Sequence, residues 1–185
     1  MISLFRRNPE HDAAARAYAC VVAQARRPGF FAECGVPDTV DGRFELICLH
    51  AFLYLHRLKD EQPDAAALGQ AFFDAMFGDF DRSLREMGTG DLSVGRQVKR
   101  MAEAFYGRVH AYERGLGEDD EVLRPALRRN LFGTIEPPPE AVEAVTAYVR
   151  RETARLQEQP AAALLAGEIA FGPPPSLPAA PRRTA

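Results

Sequence analysis

Residues 80–101 read FDRSLREMGTGDLSVGRQVKRM and carry the clearest structural signals in the chain. Apolar residues recur at helical spacing up to Met87, where Gly88 and Gly90 interrupt the pattern. A second apolar stripe then recurs at steps of three and four: Val94, Val98, Met101, Phe105, Val109 and Tyr112. This segment predicts two helices joined by a short turn, with many charged residues beside the turn.

Helical periodicity extends through most of the chain, and no segment alternates convincingly as a strand would. The predicted helices cover roughly residues 12–26, 38–59, 64–87, 91–117, 118–132 and 137–159, followed by a weaker apolar segment at 161–171. Residues 30–38 are predicted to be a loop, Asp38 or Asp41 is the predicted helix cap, and Gly78 is a predicted bend or break. The sequence therefore predicts an all-α domain of about six or seven packed helices.

The composition is that of a globular domain with a real core, since 46% of the 185 residues are hydrophobic and 26% are charged. We divide the chain into an N-terminal segment (1–11), a helical domain (12–171) and a tail (172–185), predicted to be disordered because five of its fourteen residues are proline. Three unpaired cysteines and the lack of a signal peptide predict a cytoplasmic protein. The net charge of −3 is too near neutral to predict nucleic-acid or membrane binding.

Catalytic and metal-binding signatures are not found in the sequence. The four histidines form no HExxH motif, and no P-loop or GxSxG motif occurs. His50 lies in the most apolar predicted helix and is interpreted as a core histidine. Asp74, Asp79 and Asp81 lie among phenylalanines, but they lack the DDxxD spacing of isoprenoid enzymes that bind magnesium diphosphate. We therefore predict no catalytic residue, no metal and no cofactor.

The charges around the predicted turn are the candidate interaction surface. Asp81–Arg85 and Arg82–Glu86 are spaced to pair along a helix. The basic residues after them could bind an acidic protein or RNA phosphates. The predicted partner-binding residues are Asp81, Arg82, Arg85, Glu86, Asp91, Arg96, Lys99, Arg100 and Arg108. The predicted supporting residues are Asp38, Asp41, Arg43 and His50. The alternative interpretation of these charges is an ordinary solvated helix face.

Three segments together resemble a known family. They are GVPDTVDGRFEL at residues 35–46, with Leu49 and His50 after it; DRSLREMGTGDLSV at 81–94; and KRM at 99–101, followed by FYGR at 105–108. They resemble the ubiquinol–cytochrome c chaperone family, whose members assist assembly of the cytochrome bc1 complex. The resemblance covers roughly residues 12–160.

The resemblance implies a non-enzymatic helical chaperone for the bc1 complex, which is respiratory complex III. It implies newly made cytochrome b, or another bc1 subunit, as the client. It also implies contacts with the ribosome or a small partner protein and peripheral contact with the inner membrane, but none with DNA. Because no transit peptide precedes the domain, we expect a bacterial relative that acts in the cytoplasm. The competing hypothesis is a protein that binds or modifies an isoprenoid or quinone in a pocket lined by Phe72, Phe77, Phe80 and Asp74.

Overall fold

The structure is a computed structural model that describes residues 9–133 and 135–177. Its α-helices are α1 (Pro9–Ala25), α2 (Gly29–Ala32), α3 (Val40–Leu58), α4 (Ala66–Glu86), α5 (Asp91–Gly117), α6 (Asp120–Leu131), α7 (Pro139–Glu158) and α8 (Ala161–Leu165). A single turn of 3₁₀ helix, Lys59–Glu61, extends α3. Most of the predicted N-terminal segment (residues 1–8) lies outside the described residues.

The predicted all-α class is confirmed, and the described part of the chain contains no β-strand. The central element is α3, which contacts α1, α5, α6 and α7. Its side chains are buried around almost the full circumference, including Leu46, Leu49, Phe52 and Leu53. Such a helix must be surrounded by other helices because it has no wide polar face to present to water. None of the described helices is long and apolar enough to cross a membrane.

The start of α3 differs from the prediction, because neither Asp38 nor Asp41 is its cap. Thr39 occupies that position with extended backbone, and its hydroxyl accepts a hydrogen bond from the backbone N–H of Gly42 at 3.1 Å. A threonine oxygen at the N-cap satisfies one of the free N–H groups of the first turn. Gly42 also lies against the preceding loop, where a Cβ atom would be 2.0 Å from the carbonyl oxygen of Pro37.

The predicted break at Gly78 is not observed, since α4 runs continuously from Ala66 to Glu86. The helix ends where the sequence indicated, at the turn formed by residues 87–90. Gly88 has a φ of 85°, which favours glycine, and the N–H of Thr89 donates to the carbonyl oxygen of Leu84 at 3.0 Å. This hydrogen-bonded end places the start of α5 at Asp91 and brings α4 and α5 together as neighbours.

The C-terminal segment 166–177 is packed on the domain. The N–H of Gly172 donates to the buried Glu152 at 2.7 Å, and the carbonyl oxygen of Pro175 accepts from Cys34 at 3.3 Å. Arg151 donates to the carbonyl oxygen of Pro173 at 2.6 Å. Residues 172–177 thus differ from the disordered tail predicted from their proline content, whereas 178–185 lie outside the described residues. A second difference is the short helix α2, which overlaps the start of the predicted loop 30–38.

A candidate binding groove beside the turn between α4 and α5

A groove with a volume of about 820 Å³ opens between the first half of α3, the last half of α4, the middle of α5 and the segment that joins α6 to α7. Its apolar lining residues include Val40, Phe44, Ile47, Phe80, Leu84, Met87, Met101, Leu131, Phe132 and Ile135. Its charged lining residues are Arg26, Asp41, Arg43, Glu45, Asp79, Arg108 and Arg129. We call this feature the groove.

Three aliphatic side chains of the groove are exposed to solvent. The exposed fractions are 63% for Val40, 56% for Met87 and 43% for Ile135. They come from α3, from the end of α4 and from the α6–α7 connection, so the fold gathers them from three separate parts of the chain. Grouped exposed apolar side chains around a concave surface are typical of sites that bind another apolar group.

The base of the groove is held by an ion pair between α3 and α5. Arg108 donates Nε–H to Glu45 Oε2 at 2.5 Å, and a second guanidinium nitrogen binds Oε1. Arg108 also donates to the carbonyl oxygen of Ala104 at 2.8 Å and lies 5.4 Å from the ring centre of Phe44. Burial raises the pKa of Glu45, although the Arg108 guanidinium opposes that rise. Arg108, predicted to be part of an exposed surface, therefore acts as a connection between two helices.

The turn between α4 and α5 is fixed by Arg85. Its guanidinium donates to Asp81 at 2.7 Å and to Asp91 at 2.5 Å, so one side chain joins the end of α4 to the start of α5. The predicted Asp81–Arg85 pair is confirmed, and the hydrogen bond from Arg85 lowers the pKa of Asp81. Arg82 was predicted to pair with Glu86, but it pairs with Asp79 at 2.8 Å.

The remaining predicted cations lie on the solvent side of α5, away from the groove. This outer face consists of Leu92, Arg96, Lys99, Arg100, Glu103 and Tyr106, all of them exposed. Lys99 is 3.9 Å from Glu103, whereas no ion pair is found for Arg96, Arg100 or Glu86 within the described residues. The predicted charged surface therefore divides into groove residues, turn residues and the outer face.

The predicted supporting residues also divide. Asp41 and Arg43 line the groove, and Arg43 pairs with Asp38 at 2.7 Å on its rim. His50 lies in the core instead. Its Nδ1 is 2.7 Å from the carbonyl oxygen of Leu46, and its Nε2 is 2.7 Å from the hydroxyl of Tyr148. The interpretation of His50 as a satisfied core histidine is confirmed.

His50 should make the fold sensitive to acid. Burial lowers its pKa to about 4, against about 6.5 in an unfolded chain. Between these values the unfolded chain binds a proton that the folded chain does not, so the free energy of unfolding falls as the pH falls from 6.5 to 4. The loss attributable to His50 should reach about 3 kcal/mol at pH 4.

The measurement is urea unfolding across that pH range for the unsubstituted chain and for His50→Gln. His50 is faced by Tyr148 of α7, by Phe30 and by Phe171, and Gln24 of α1 donates to the same Tyr148 hydroxyl. Because none of these groups titrates between pH 4 and 6.5, the difference between the two curves isolates His50. Parallel curves would contradict the prediction.

The aromatic pocket proposed as an alternative does not have its predicted lining. Phe72 and Phe77 are buried in the core, and Asp74 is exposed and accepts a hydrogen bond from Gln70 at 2.8 Å. Of the four predicted lining residues, the groove includes Phe80 alone. Within the described residues there is also no group of three or more His, Cys, Asp or Glu side chains placed to hold a metal ion. The absence of a cofactor stays a prediction.

The sequence interpretation missed the apolar part of the site. No local pattern predicts that Val40, Met87 and Ile135 are exposed together, because their exposure follows from the way three separate parts of the chain meet in space. Glu45 had a detectable signal, because an acid within the apolar run FELICL needs a partner when the helix is buried. The partner, Arg108, lies 63 residues away and is not predictable from spacing.

Comparison with known proteins identifies the family. A family model described as "Ubiquinol-cytochrome C chaperone" matches residues 32–171, which include nearly all of the groove and the whole outer face. The chain belongs to the ubiquinol-cytochrome C chaperone family. The resemblance inferred from the three sequence segments is therefore confirmed.

Relatives of this chaperone family occur in animals. Ubiquinol-cytochrome-c reductase complex assembly factor 1 of Xenopus laevis is 30% identical over 162 residues, which cover 87% of this chain and 81% of the relative. The human protein of the same name is 28% identical, and the match covers 87% of this chain and 54% of the human one. The shared region thus includes most of this chain.

A solved structure of a bacterial relative has the same fold. The crystal structure of the Cbp3 homolog from Brucella abortus is 42% identical in sequence and matches with a TM-score of 0.80. The match covers 91% of this chain and 94% of that one. The chaperone-family chain described here and the Brucella protein therefore share their helical architecture over nearly their whole lengths.

Proposed function

We propose that this chain is an assembly chaperone for respiratory complex III, and that the groove holds an apolar segment of a newly made subunit. The observation that carries the proposal is the set of exposed aliphatic side chains around the groove, Val40, Met87 and Ile135. A free apolar surface of this kind is suited to a client that has not yet buried its own apolar side chains. Membership of the ubiquinol-cytochrome C chaperone family supports the choice of complex III.

The shape of the groove suits an α-helical client segment. It runs between helices and has a mainly apolar lining, as grooves that receive one apolar helix face do. Arg26, Arg43 and Arg129 lie along it, so acidic or carbonyl groups of the client would find cationic partners. We propose cytochrome b as the client because it is a membrane subunit made largely of apolar helices. The proposed place of action is the cytoplasmic side of the inner membrane.

We infer a non-enzymatic role, in which binding alone protects the client. The relatives are named assembly factors, and two carboxylates of the groove have structural partners: Glu45 binds Arg108, and Asp79 binds Arg82 and Tyr18. Contacts with the ribosome and with a small partner protein remain part of the proposal. They would use surfaces outside the groove.

The proposal predicts that acidic residues in the groove abolish chaperone activity without unfolding the protein. Val40→Asp/Ile135→Asp places two carboxylates among the apolar lining residues, where a buried client segment would leave them unpaired. The variant replaces the only copy of the gene in a bacterium, and membrane cytochrome b is measured from the reduced-minus-oxidised haem spectrum. We expect cytochrome b to fall at least tenfold, because the carboxylates should weaken the free energy of client binding by about 1.4 kcal/mol or more.

The matched control is Ala147→Asp, which places a carboxylate at an exposed position of α7 outside the groove. Both variants should have the circular dichroism and thermal unfolding of a folded helical protein. Normal cytochrome b with the groove variant, or equal losses with the control, would contradict a client site in the groove.

A second candidate function is binding of a quinone or isoprenoid in the same groove. The volume of about 820 Å³ lies within the range of roughly 300–1,000 Å³ that small-molecule sites occupy. Titration of the purified protein with a short-chain ubiquinone would test it. Saturable binding that Val40→Asp/Ile135→Asp removes would favour this candidate over a protein client.

A further inference from the structure

We propose that two polar groups at the base of the groove, the hydroxyl of Tyr112 and the side-chain amide of Asn130, select client segments that carry one oxygen acceptor among apolar residues. The acceptor is a serine or threonine hydroxyl, or a backbone carbonyl that a proline has freed from its helical hydrogen bond. This inference rests on the proposed function, because it gives a selectivity to the groove that receives the client.

The Tyr112 side chain is completely buried, and packing fixes its position. Its exposed fraction is 0%, and its ring centre lies 5.3 Å from that of Phe52 in α3. Among the described residues, its hydroxyl oxygen has no hydrogen-bond partner. Buried hydroxyls are usually paired, because an unpaired one has lost its hydrogen bonds to water and gained none in return. The Tyr112 hydroxyl therefore points to a partner that binds from outside the domain.

Asn130 connects this hydroxyl to the groove. It is the next-to-last residue of α6, and it lines the groove. Its side-chain nitrogen, Nδ2, is buried and also lacks a hydrogen-bond partner within the described part of the chain. Burial raises the pKa of Tyr112 and the Asn130 amide opposes that rise, so the two groups are neighbours although no hydrogen bond of good geometry joins them. Together they can present one O–H donor and one N–H donor.

The neighbouring ion pair does not supply the missing partners. Both carboxylate oxygens of Glu45 accept hydrogen bonds from Arg108, and the third guanidinium nitrogen donates to the carbonyl oxygen of Ala104. One oxygen atom placed in the groove can accept from both Tyr112 and Asn130, because a hydroxyl or carbonyl oxygen has two lone pairs. The two unused donors therefore fit a single oxygen acceptor.

The two donors should make the groove selective. A client segment without such an oxygen would expel water from the groove and leave both donors unpaired. Sites that are built to hydrogen-bond one polar group reject similar ligands that lack it, for this reason. The apolar lining would supply affinity, and the two donors would supply selectivity. Helices of membrane proteins carry serine, threonine and proline among their apolar residues, which makes them suitable occupants.

The test measures binding of fluorescently labelled helical peptides to the purified full chain. The peptides consist of leucine and alanine with lysine at both ends, and they differ only in one central residue, which is valine, threonine or proline. We expect the threonine peptide to bind about tenfold more tightly than the valine peptide, which has the same shape without the hydroxyl. A tenfold preference for the proline peptide instead would identify a freed carbonyl as the acceptor. Equal binding of all three peptides would overturn the proposal.

Tyr112→Phe/Asn130→Leu removes both donors with little change of shape. The preference among the peptides should disappear, while the valine peptide should bind at least as tightly as it does to the unsubstituted chain. A merely structural role would weaken the binding of all peptides alike. The matched control is Tyr54→Phe, which removes a buried hydroxyl outside the groove and should leave the preference unchanged. A preference that survives in the double variant would overturn the proposal.

Urea unfolding of two single variants tests the unpaired hydroxyl without any peptide. The Tyr54 hydroxyl donates to the carbonyl oxygen of Leu164 at 2.9 Å, so Tyr54→Phe should lower the urea midpoint. Tyr112→Phe should leave the midpoint unchanged, because it removes no hydrogen bond. An equal fall for both variants would show that the Tyr112 hydroxyl has a partner in the free protein, such as a bound water or the Asn130 oxygen. That result would overturn the proposal.

The selectivity and the chaperone role can fail separately. If the peptides bind equally, or none binds, while Val40→Asp/Ile135→Asp still lowers cytochrome b, the proposed function stands and the selectivity falls. If the threonine or proline peptide is preferred while the groove variant leaves cytochrome b normal, the selectivity stands and the chaperone role falls. A short-chain ubiquinone whose binding alone depends on Tyr112 and Asn130 would assign both donors to a quinone carbonyl and overturn a client segment as their partner.

Discussion

Gly42→Ala is expected to destabilise the fold by about 3 kcal/mol and to lower the melting temperature by roughly 10 °C. A Cβ atom on residue 42 would lie 2.0 Å from the carbonyl oxygen of Pro37 and 3.0 Å from its carbonyl carbon. These are backbone atoms, so no side-chain rotation can relieve the overlap, and the loop or the first turn of α3 must move. The same shift would weaken the cap, because the N–H of Gly42 binds the Thr39 hydroxyl.

The matched control is Gly78→Ala in the middle of α4. A Cβ atom there would have no neighbouring atom within 4 Å, so alanine should stabilise the helix by about 0.5–1 kcal/mol. Thermal and urea unfolding of both variants make the comparison. Since Pro37 lines the groove, Gly42→Ala should also reduce chaperone activity below the melting temperature. A change in stability from Gly42→Ala as small as that from Gly78→Ala would contradict the steric overlap at residue 42.

The second large effect concerns the ion pair between Glu45 and Arg108. Their side chains are only 10% and 18% exposed, so removing one partner leaves the other charge largely buried. Glu45→Leu should therefore cost about 3 kcal/mol of the free energy of unfolding, and Arg108→Met a similar amount. Arg108 would retain its hydrogen bond to Ala104 and its contact with Phe44, which limits the cost of losing Glu45.

A double-mutant cycle measures the pair directly. Glu45→Leu/Arg108→Met removes both charges and fills the space with apolar atoms, so it should be more stable than either single variant. Because each single substitution should cost about 3 kcal/mol, that order of stability requires a coupling free energy of more than about 3 kcal/mol from urea unfolding at pH 7. Additive effects of the two single substitutions would contradict a coupled pair and would support the first prediction, in which Arg108 belongs to an exposed surface.

Local sequence patterns predicted the helices well because each pattern has a local physical cause. The α5 stripe of Val94, Val98, Met101 and Phe105 specifies one face of one helix, and Gly88 specifies the end of α4. The cap of α3 was assigned to Asp38 or Asp41, whereas Thr39 accepts the capping hydrogen bond in the structure. Gly78 was expected to bend or break α4, but the cost of a glycine within a helix, about 1 kcal/mol, is smaller than the free energy that packing of the neighbouring residues contributes.

The site could not be predicted to the same extent because it depends on distant parts of the chain. Charge density drew attention to residues 81–108, and the structure places these charges in three different surroundings. Arg85 connects two helices, Arg108 is largely buried against Glu45, and Arg100 is exposed on the outer face. Helical spacing predicts pairs within one helix, such as Asp81 with Arg85. It does not reveal which exposed aliphatic residues will meet around a groove.

The central claim is that the groove binds a complex III subunit, and photo-crosslinking in cells tests it most directly. A photoreactive amino acid at position 40, which is 63% exposed in the groove, is compared with one at exposed position 147 on α7. Irradiation during synthesis of complex III should give a crosslinked product that contains cytochrome b from position 40 and none from position 147. Absence of cytochrome b from the position 40 product, or equal products from both positions, would contradict the account.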